Sequence, residues 1–457
     1  MIAHTGMVDH ARQRVSITIP TVPRTVLMIA YAFPPEAYVG GRRTLKYCKY
    51  LGQFGWRPLV ITIKPRGHAW QDEELAAQVP SSVEVLRTTD IDAADWLERL
   101  GRWKARLRRG RSEAVAATAG PSATYEAAGP LARLKGLISR ALLHSPDPHV
   151  LWVPLAFIRG VRVLLTRRVD VIYSSSPPHS SHIAAALLAF CFRKPHVVDL
   201  RDPWIGFAGV KRRIMRRAAR VIVVSPGEPG ELAASCPGIA PDRLDVITNG
   251  YDPDDFRRID HAEPDPEHVT ITHTGTVYRE TGREFFASLE RLLTARPGLR
   301  SLLRVNLLGD IDPAHADGVR RLEATGVVYA PGCVTHRETL ACIRRSDALL
   351  LLPRGGTSGR SHIPAKAFEY LYARKPILAI AEEGSLTEIL RNSGLGIVVP
   401  PGDAGMLDRT LLGLCGDLRC GDLQVRPNQR YINRFDRRIL TGRFAAVLDG
   451  VVARRRI

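Results

Sequence analysis

The stretch TVLMIAYAFPPEAYVGGRRTLKYCKYLGQFGWRPLVITI, residues 25–63, decides the fold. It begins with the apolar run TVLMIAY, of the kind that forms a strand buried on both faces. A helix is predicted from about Arg42, with apolar residues at helical spacing and Gly55 as its C-terminal cap. RPLVITI then reads as a second strand. A strand–helix–strand unit of this kind predicts parallel pairing and an α/β fold.

The same alternation continues along the chain in two series. VDVIYSSS, KPHVVDL and ARVIVVS extend the first series, and VTITHTG opens a second that runs on through RVNLLG, GVVYAPG, DALLLLP, KPILAIA and GLGIVVP. The sequence therefore predicts two doubly wound, Rossmann-like domains. We place a polar leader at 1–24, the first domain at 25–256, the second at 257–430 and a final amphipathic helix within 431–457.

Length and composition set the class of protein. A chain of 457 residues is too long for one core, and 45% hydrophobic with 24% charged residues is ordinary for a globular protein. The seven cysteines form no C-x-x-C pair, which argues against a disulfide framework or a zinc site and suits a reducing cytoplasm. The leader lacks the apolar run of a signal peptide, and no stretch reaches the roughly 20 apolar residues that span a bilayer.

The net charge of +19 is the unusual bulk value. It indicates an anionic partner such as nucleic acid, acidic lipid or a phosphorylated substrate, or else an arginine-rich composition that serves solubility. Much of this charge lies in 97–143, where the alternation breaks into a basic run, an Ala/Gly-rich loop and a basic amphipathic helix. That insert is either an arm for an acidic membrane surface or a helix packed on its own domain.

Ligands of open parallel sheets bind at the carboxyl ends of strands, where helix N-termini offer free N–H groups. In the first half, Gly40 and Gly41 stand between the first strand and the first helix and let backbone approach a ligand. The loops SSSPPHSSH and HVVDLRDPW follow two further strands. They place candidate catalytic side chains at the same edge, namely His179, His182 and Asp202, with Arg201 beside them.

In the second half, THTGTVYRETGREFF ends a strand at Gly275 and Thr276 and starts a helix near Arg279 and Arg283. Guanidinium groups bind phosphate oxygens in a bidentate manner, and cations at a helix N-terminus oppose the helix dipole unless an anion is present. This stretch therefore predicts a diphosphate site.

The stretch SHIPAKAFEYLYARKPILAI starts a helix at Pro364, so the backbone of Ser361, His362 and Ile363 would point into the cleft. Glu369 lies about a turn and a half into that helix, where its carboxylate could accept hydrogen bonds from the vicinal hydroxyls of a ribose. The alternative is a surface glutamate. GDID, residues 309–312, is interpreted as a turn and N-cap rather than a metal site, and we expect no metal and no bound cofactor.

Together, FPPEAYVGGRR, DLRDPW, VITNGYDPDDF and PAKAFEYLYARKPILAI…TEIL…GIVVPPGD resemble glycosyltransferase family 4, whose members are retaining, nucleotide-sugar-dependent enzymes of the GT-B fold. The resemblance covers most of the chain in the right order. It implies an acceptor-binding first domain, a donor-binding second domain and a last helix, from about Arg437, that crosses back onto the first domain. One departure stands out: Glu369 matches the second acid of the family's Glu–seven residues–Glu motif, but the first acid is replaced by Ser361.

The resemblance implies donor contacts from both domains. The expected donor-binding residues are Gly40, Gly41, Gly275, Thr276, Arg279, Arg283, Ser361, His362, Ile363, Lys366 and Glu369. Asp202, with His179 or His182, would meet the transferred sugar. The expected partners are a nucleotide sugar and a glycan or lipid-linked acceptor, in surface-glycan or lipid-linked saccharide synthesis, in the cytoplasm or at the inner face of the membrane.

Two rival functions remain open on the sequence. A nucleic-acid-binding protein could use the basic insert, although aromatic residues, at 7%, are not interleaved with its basic ones. The same fold could instead catalyse epimerisation of a nucleotide sugar, which needs acid and base side chains around C2 of the sugar.

Overall fold

The computed structural model describes residues 23–36, 39–66, 71–90, 147–204, 206–259, 263–355, 360–423 and 425–454. The basic insert at 97–143 and nearly all of the polar leader lie outside the described residues, so the predictions made for them stay predictions.

Thirteen strands are described, in two sheets. The first sheet holds β1 (Arg24–Ala30), β2 (Trp56–Ile63), β3 (Glu84–Thr88), β4 (Val171–Ser175), β5 (His196–Leu200), β6 (Arg220–Val223) and β7 (Leu244–Val246). The second holds β8 (Val269–Thr274), β9 (Leu303–Leu308), β10 (Val328–Gly332), β11 (Ala348–Leu351), β12 (Ile377–Ile380) and β13 (Gly396–Val399).

Both sheets are parallel and reverse their strand order at one internal point. The first runs β3-β2-β1-β4-β5-β6-β7 and the second β10-β9-β8-β11-β12-β13. Their central strands are buried on both faces, as in Val26–Ala30 and Ala348–Leu351, because helices cover each sheet on two sides. The two doubly wound sheets predicted from the sequence are confirmed, and the order reverses between β1 and β4 and between β8 and β11, where ligands of such folds bind.

Helices connect the strands. In the first half these are α1 (Val39–Leu51), α2 (Glu73–Ala76), α3 (Val153–Thr166), α4 (Ser180–Cys191), α5 (Ala208–Arg217), α6 (Glu228–Ser235) and α7 (Pro253–Arg257). In the second half they are α8 (Arg279–Ala295), α9 (Ala316–Ala324), α10 (His336–Arg345), α11 (Ala365–Ala373), α12 (Ser385–Ser393), α13 (Ala404–Cys420), α14 (Gln429–Ile432) and α15 (Arg437–Ala453).

Helix α1 starts three residues earlier than predicted, so Gly40 and Gly41 lie in its first turn and not in a loop before it. The physical reason is close packing against the preceding turn. A Cβ atom on Gly41 would lie 3.2 Å from the carbonyl oxygen of Ala32 and from the Cα of Phe33. Glycine lets the first turn of α1 start directly against the end of β1, and the free N–H groups of that turn remain at the ligand edge.

The last helix, α15, packs on the first sheet. Its Phe444 stacks on Tyr47 of α1 with ring centroids 4.3 Å apart and lies edge-on to Tyr173 of β4. Near its start, the chain runs beside the linker between the sheets, which we define as residues 249–259. Tyr251 N donates to Phe435 O at 3.1 Å, and Arg437 N donates to Tyr251 O at 2.9 Å. Gly250 is needed here, because a Cβ atom would lie only 2.1 Å from Phe435 O. The two segments that cross between the domains are thus hydrogen-bonded to each other.

The linker is also held by helix α1. Asp252, buried at the start of α7, accepts from Lys46 Nζ at 2.7 Å, from Lys49 Nζ at 2.8 Å and from Tyr50 Oη at 2.7 Å. Burial alone would raise the pKa of Asp252, but Lys46, Lys49 and Tyr50 outweigh it and hold that pKa below its usual range. Because the cluster joins one helix to the linker, it fixes where the linker leaves the first domain.

Helix α11 is capped at its C-terminus by Arg374, whose backbone conformation is one that favours glycine. Arg374 has φ 59°, the left-handed region that side chains with a Cβ atom rarely adopt. We expect Arg374→Gly to raise the free energy of unfolding by about 0.5–1 kcal/mol, since glycine removes this strain. Denaturant unfolding measures the change. Arg374→Ala is the control, because alanine keeps the strain; an equal gain from both variants would contradict the explanation.

Candidate functional site

A glycine and a partly buried lysine lie together at the carboxyl end of β8. Lys366, in the first turn of α11, donates from Nζ to His273 Nε2 at 3.0 Å and to the carbonyl oxygen of Thr274. His273 Nδ1 donates to Leu350 O at 3.0 Å, which fixes its Nε2 as the acceptor. A Cβ atom on Gly275 would lie 3.5 Å from Lys366 Nζ, so the ammonium stands directly beside that glycine.

Lys366 is a cation with no carboxylate partner among the described residues. Burial lowers its pKa to about 7, because its contacts are a carbonyl and a neutral imidazole. A poorly solvated ammonium of this kind would stabilise a bound anion. Lys366 and Gly275, both predicted to bind the donor, therefore lie together at the switch point of the second sheet.

Glu369 faces the cleft and not the outer surface. It accepts a hydrogen bond from His336 Nε2 of α10 at 2.9 Å, and Arg42 Nη1 of α1 lies 3.9 Å from the same oxygen. Burial opposes its ionisation, but His336, Arg42 and Arg437 outweigh that effect and keep the pKa of Glu369 below its ordinary value. A carboxylate held ionised between the domains is a fixed hydrogen-bond acceptor.

Two arginines beside Glu369 were not predicted from the sequence. Arg42 Nε and Arg437 Nη1 are buried and have no hydrogen-bond partner in the described part of the chain. Burial and the neighbouring Arg43 lower the pKa of Arg437 to about 10. Arg437 opens α15, so the crossing helix brings a guanidinium from the end of the chain to the cleft. The only signal for it in the sequence was the charged start of that helix.

Helix α1 approaches the same region through its backbone. Arg201 Nη1, which follows β5, donates to the carbonyl oxygen of Gly40 at 2.6 Å. This bond ties the start of α1 to the loop that carries Asp202. Gly40, Gly41 and Asp202 are thereby brought to one edge of the first sheet, as predicted for the ligand edge.

Ser361, which replaces the expected motif acid, contacts the first domain. Its Oγ donates to Glu231 Oε1 of α6, and Gly227 packs against the same hydroxyl. The pKa of the next residue, His362, responds to groups in both domains. Burial and Arg354 of the second domain lower it, Asp202 of the first domain opposes them, and the net shift is downward. The strand-end loops of the two domains therefore face each other here. Ile363 is buried in the core of the second domain.

The predicted histidines lie behind Asp202. His179 is nearly buried at the start of α4 and stacks on Trp204 with centroids 4.9 Å apart. His182 is fully buried, and its Nδ1 is 2.7 Å from Ser174 Oγ, which also contacts His196 Nε2 at 2.7 Å. Burial lowers the pKa of both His179 and His182, so both are neutral at physiological pH. Of the two, His179 is the more exposed, at 8% against 0% for His182.

The predicted arginines of the second domain lie apart from Lys366. Arg279, with a side chain 69% exposed, is 4.0 Å from Asp312, and Arg283 is exposed on the next turn. No contact within the described ranges joins either guanidinium to Lys366 or Glu369. Thr276 lies in the loop between Gly275 and α8, and its carbonyl oxygen is 3.3 Å from His273 Nε2.

The residues of GDID act as predicted for a turn and N-cap. Asp312 Oδ1 accepts from Ala314 N at 2.9 Å, at the start of a short 3-10 helix. Within the described ranges, no cluster of three or more His, Cys, Asp or Glu side chains could hold a metal ion. Across the same residues, no helix has both the length and the apolar character needed to cross a bilayer.

Comparison with known proteins gives a family match over part of the chain. Residues 107–255 match the model of Glycosyltransferase Family 4, so the resemblance expected from the motifs is found in that part of the chain. No curated protein sequence matches the chain.

Solved structures share the whole architecture at low identity. A glycosyltransferase from Rickettsia africae aligns with a TM-score of 0.56 and 14% identity, over 94% of this chain and 99% of that one. Anabaena Alr3699/HepE in complex with UDP-glucose gives 0.55 and 14%, over 93% and 99%. The trehalose-6-phosphate phosphatase N-terminal domain of Candida albicans gives 0.60 and 13%, over 94% and 97%. The neighbours include GT-B glycosyltransferases, so the predicted GT-B fold is confirmed.

Proposed function

We propose that this protein is a retaining glycosyltransferase that moves a sugar from a nucleotide-diphosphate donor to a hydroxyl group of a glycan or lipid-linked acceptor. One observation carries the proposal: Lys366 and Glu369 lie on one side of the cleft, and Asp202 lies on the other. The family match over residues 107–255 and the Anabaena neighbour, whose structure holds UDP-glucose, support the same reading.

The donor diphosphate would lie against Gly275 and Lys366. There it would meet the Lys366 ammonium and the free N–H groups at the start of α8, which favour negative charge. When the glycosidic bond to the nucleotide breaks, negative charge grows on the diphosphate, and these groups stabilise it without reorganising. Arg279 and Arg283 remain predicted donor contacts, and they would reach the diphosphate only by a change of side-chain conformation.

The nucleotide ribose would lie against Glu369. One carboxylate oxygen is engaged by His336, and the remaining acceptor capacity can take the ribose hydroxyls. Arg42 and Arg437 would then place their unpaired guanidinium nitrogens near the bound nucleotide.

The transferred sugar would lie between the domains, near His362 and Asp202. Retention of configuration requires the acceptor hydroxyl to attack on the face from which the diphosphate leaves. Asp202 is the group that we assign to the sugar and its developing positive charge, with neutral His179 as the adjacent polar group. Closure of the two domains, marked by the contact between Ser361 and Glu231, would exclude water.

A thermal-shift titration of the full chain with UDP, GDP and their sugars tests the donor site. We expect stabilisation by at least one nucleotide diphosphate, since a ligand that binds the native state raises the melting temperature. NMR of the product anomer then tests retention, and incubation without acceptor separates transfer from epimerisation. If no nucleotide in the panel stabilises the protein, the donor site is refuted.

Nucleotide binding is expected to take up a proton near neutral pH. The ligand-free pKa of Lys366 is about 7, and a bound diphosphate favours the ammonium and raises it. At a pH between the pKa of Lys366 in the free protein and its pKa in the complex, Lys366 is neutral without nucleotide and charged with it. Binding therefore takes up a proton, and affinity falls as the pH rises above about 7. Calorimetric titration near pH 8 in buffers of different ionisation enthalpy measures the uptake. Lys366→Met should abolish it, and unchanged uptake in that variant would assign the proton elsewhere.

A further inference from the structure

A cavity lies in the first domain, at the carboxyl ends of β5 and β6. It measures about 230 Å³ and opens between α5 and α6. A water molecule occupies about 30 Å³ in the liquid, so the cavity has room for about eight, which is space for one monosaccharide unit. Leu232 contributes to an apolar wall, and the polar lining comes from Asp202, Trp204, Lys211, Glu228 and Glu231.

The polar lining has a surplus of negative charge. It contains three carboxyl groups and one ammonium, and Lys211 Nζ donates to Ser235 Oγ at 3.2 Å. No cation of the described chain forms an ion pair with Asp202, Glu228 or Glu231. Glu228 uses one oxygen to accept from Val224 N and Ser225 N, and burial raises its pKa to about 7. The cavity therefore offers carboxylate acceptors that lack a matching positive charge.

A buried donor in the same wall also lacks a partner. Trp204 is only 3% exposed, and its indole Nε1 has no acceptor among the residues described. An N–H group left without a partner costs free energy, which a ligand oxygen would recover. The cavity thus presents one unused donor and several unused acceptors, the combination that a sugar with hydroxyl and amino groups satisfies.

The cavity joins the cleft on the side opposite the donor groups. Glu231 meets Ser361 of the second domain, and the charge of Asp202 partly offsets the lowering of the His362 pKa by burial. A nucleotide diphosphate would be repelled by the carboxylates here and attracted by Lys366 across the cleft. Charge therefore separates the two halves of the site.

We propose that this cavity is the acceptor subsite, and that it takes an acceptor sugar bearing a protonated amine in preference to a neutral or an anionic sugar. The proposal rests on the proposed glycosyl transfer and narrows its acceptor. The ammonium would pair with Glu228 and Glu231, which leaves Asp202 to the transferred sugar, and a ring or glycosidic oxygen would accept from Trp204 Nε1.

Ligand-observed NMR with the full chain, saturated with whichever nucleotide diphosphate stabilises it, tests this preference. The probes are methyl glucosaminide, methyl glucoside and methyl glucuronide, compared by competition. We expect the glucosaminide to bind about three- to fivefold more tightly than the glucoside, because an ion pair with partly exposed carboxylates adds to its affinity. The glucuronide should bind most weakly.

The double variant Glu228→Gln/Glu231→Gln removes charge but keeps the amide oxygens as acceptors for Val224, Ser225 and Ser361. It should lose most of the preference for the amine. Glu290→Gln/Glu323→Gln, on α8 and α9 of the other domain, removes the same formal charge and should keep the preference. Ser235→Phe, which fills the cavity, should abolish binding of all three sugars while the nucleotide thermal shift persists.

Equal affinity for the three sugars, tightest binding of the glucuronide, or an undiminished preference in the glutamine double variant would each overturn the proposal. Absence of any sugar signal from a protein that binds nucleotide would overturn it as well. If no nucleotide binds, the probes are tested on the protein alone. A preference for the amine there would support the cavity while the donor site fails, so the two failures are distinguishable.

Discussion

Lys366→Met is expected to bind nucleotide diphosphates about 100-fold more weakly than the parent protein, because truncating a buried charged partner costs several kcal/mol. The Lys366 ammonium lies beside Gly275. Its hydrogen-bond partners among the described residues are His273 and the carbonyl oxygen of Thr274. Methionine fills a similar volume without charge. Calorimetric titration with the nucleotide that stabilises the parent protein measures the loss.

The ligand-free stability of this variant gives the matching control. Burial disfavours the Lys366 ammonium, as its lowered pKa shows, so methionine is expected to leave the melting temperature unchanged or raised. Lys375→Met, just beyond the other end of α11, removes the same charge outside the cleft and should bind nucleotide normally. Normal nucleotide affinity in Lys366→Met would remove the lysine from the donor site.

Arg43→Met is expected to lower the free energy of unfolding by about 3–5 kcal/mol, the cost of breaking a buried ion pair by removing one partner. Arg43 is 1% exposed and donates to Asp199 from Nε at 2.7 Å and from Nη2 at 3.2 Å. It also donates to the carbonyl oxygens of Ile247 at 2.8 Å and Thr248 at 2.6 Å, just before the linker. Its removal leaves the fully buried carboxylate of Asp199 with the Tyr173 hydroxyl as its one remaining side-chain partner among the described residues. Denaturant unfolding followed by tryptophan fluorescence measures the loss.

The double variant Arg43→Met/Asp199→Asn distinguishes the cost of leaving Asp199 charged and unpaired from the cost of lost side-chain packing. It should recover part of the stability, because the remaining amide is neutral and can still accept from Tyr173. Arg24→Met is the surface control: its ion pair with Asp449 is partly exposed, and its loss should cost about 0.2–1 kcal/mol. Equal losses of unfolding free energy in Arg43→Met and Arg24→Met would show that the buried pair stabilises the fold no more than the surface pair does.

The sequence predicted eleven of the thirteen described strands and missed the two at the edges of the first sheet. Buried parallel strands are continuous apolar runs, so β1, β8 and β11 could be recognised directly. Strands β3, Glu84–Thr88, and β7, Leu244–Val246, lie at the edges of the first sheet and are only partly covered. Their sequences mix charged and apolar residues because one side meets solvent, so no apolar run marks them.

Candidate site residues were predictable where they follow a strand or start a helix. Lys366 and Glu369 share a helix that begins at the ligand edge, and both lie in the cleft. Arg42, His336 and Arg437 come from distant parts of the chain, and only the packing of α1, α10 and α15 brings them to Glu369. Periodicity and motif spacing do not describe contacts between domains, so these partners required the structure.

The paired backbone crossings at Tyr251 and Arg437 have a mechanical consequence. Two covalent connections that lie side by side resist twisting and sliding of one domain against the other, whereas bending across them stays easy. Opening and closing would then follow a single rotation axis near the linker. Each closure would return Lys366 and Asp202 to the same relative alignment, so the accuracy of the reacting geometry would be set by the backbone at the pivot as well as by the side chains in the cleft.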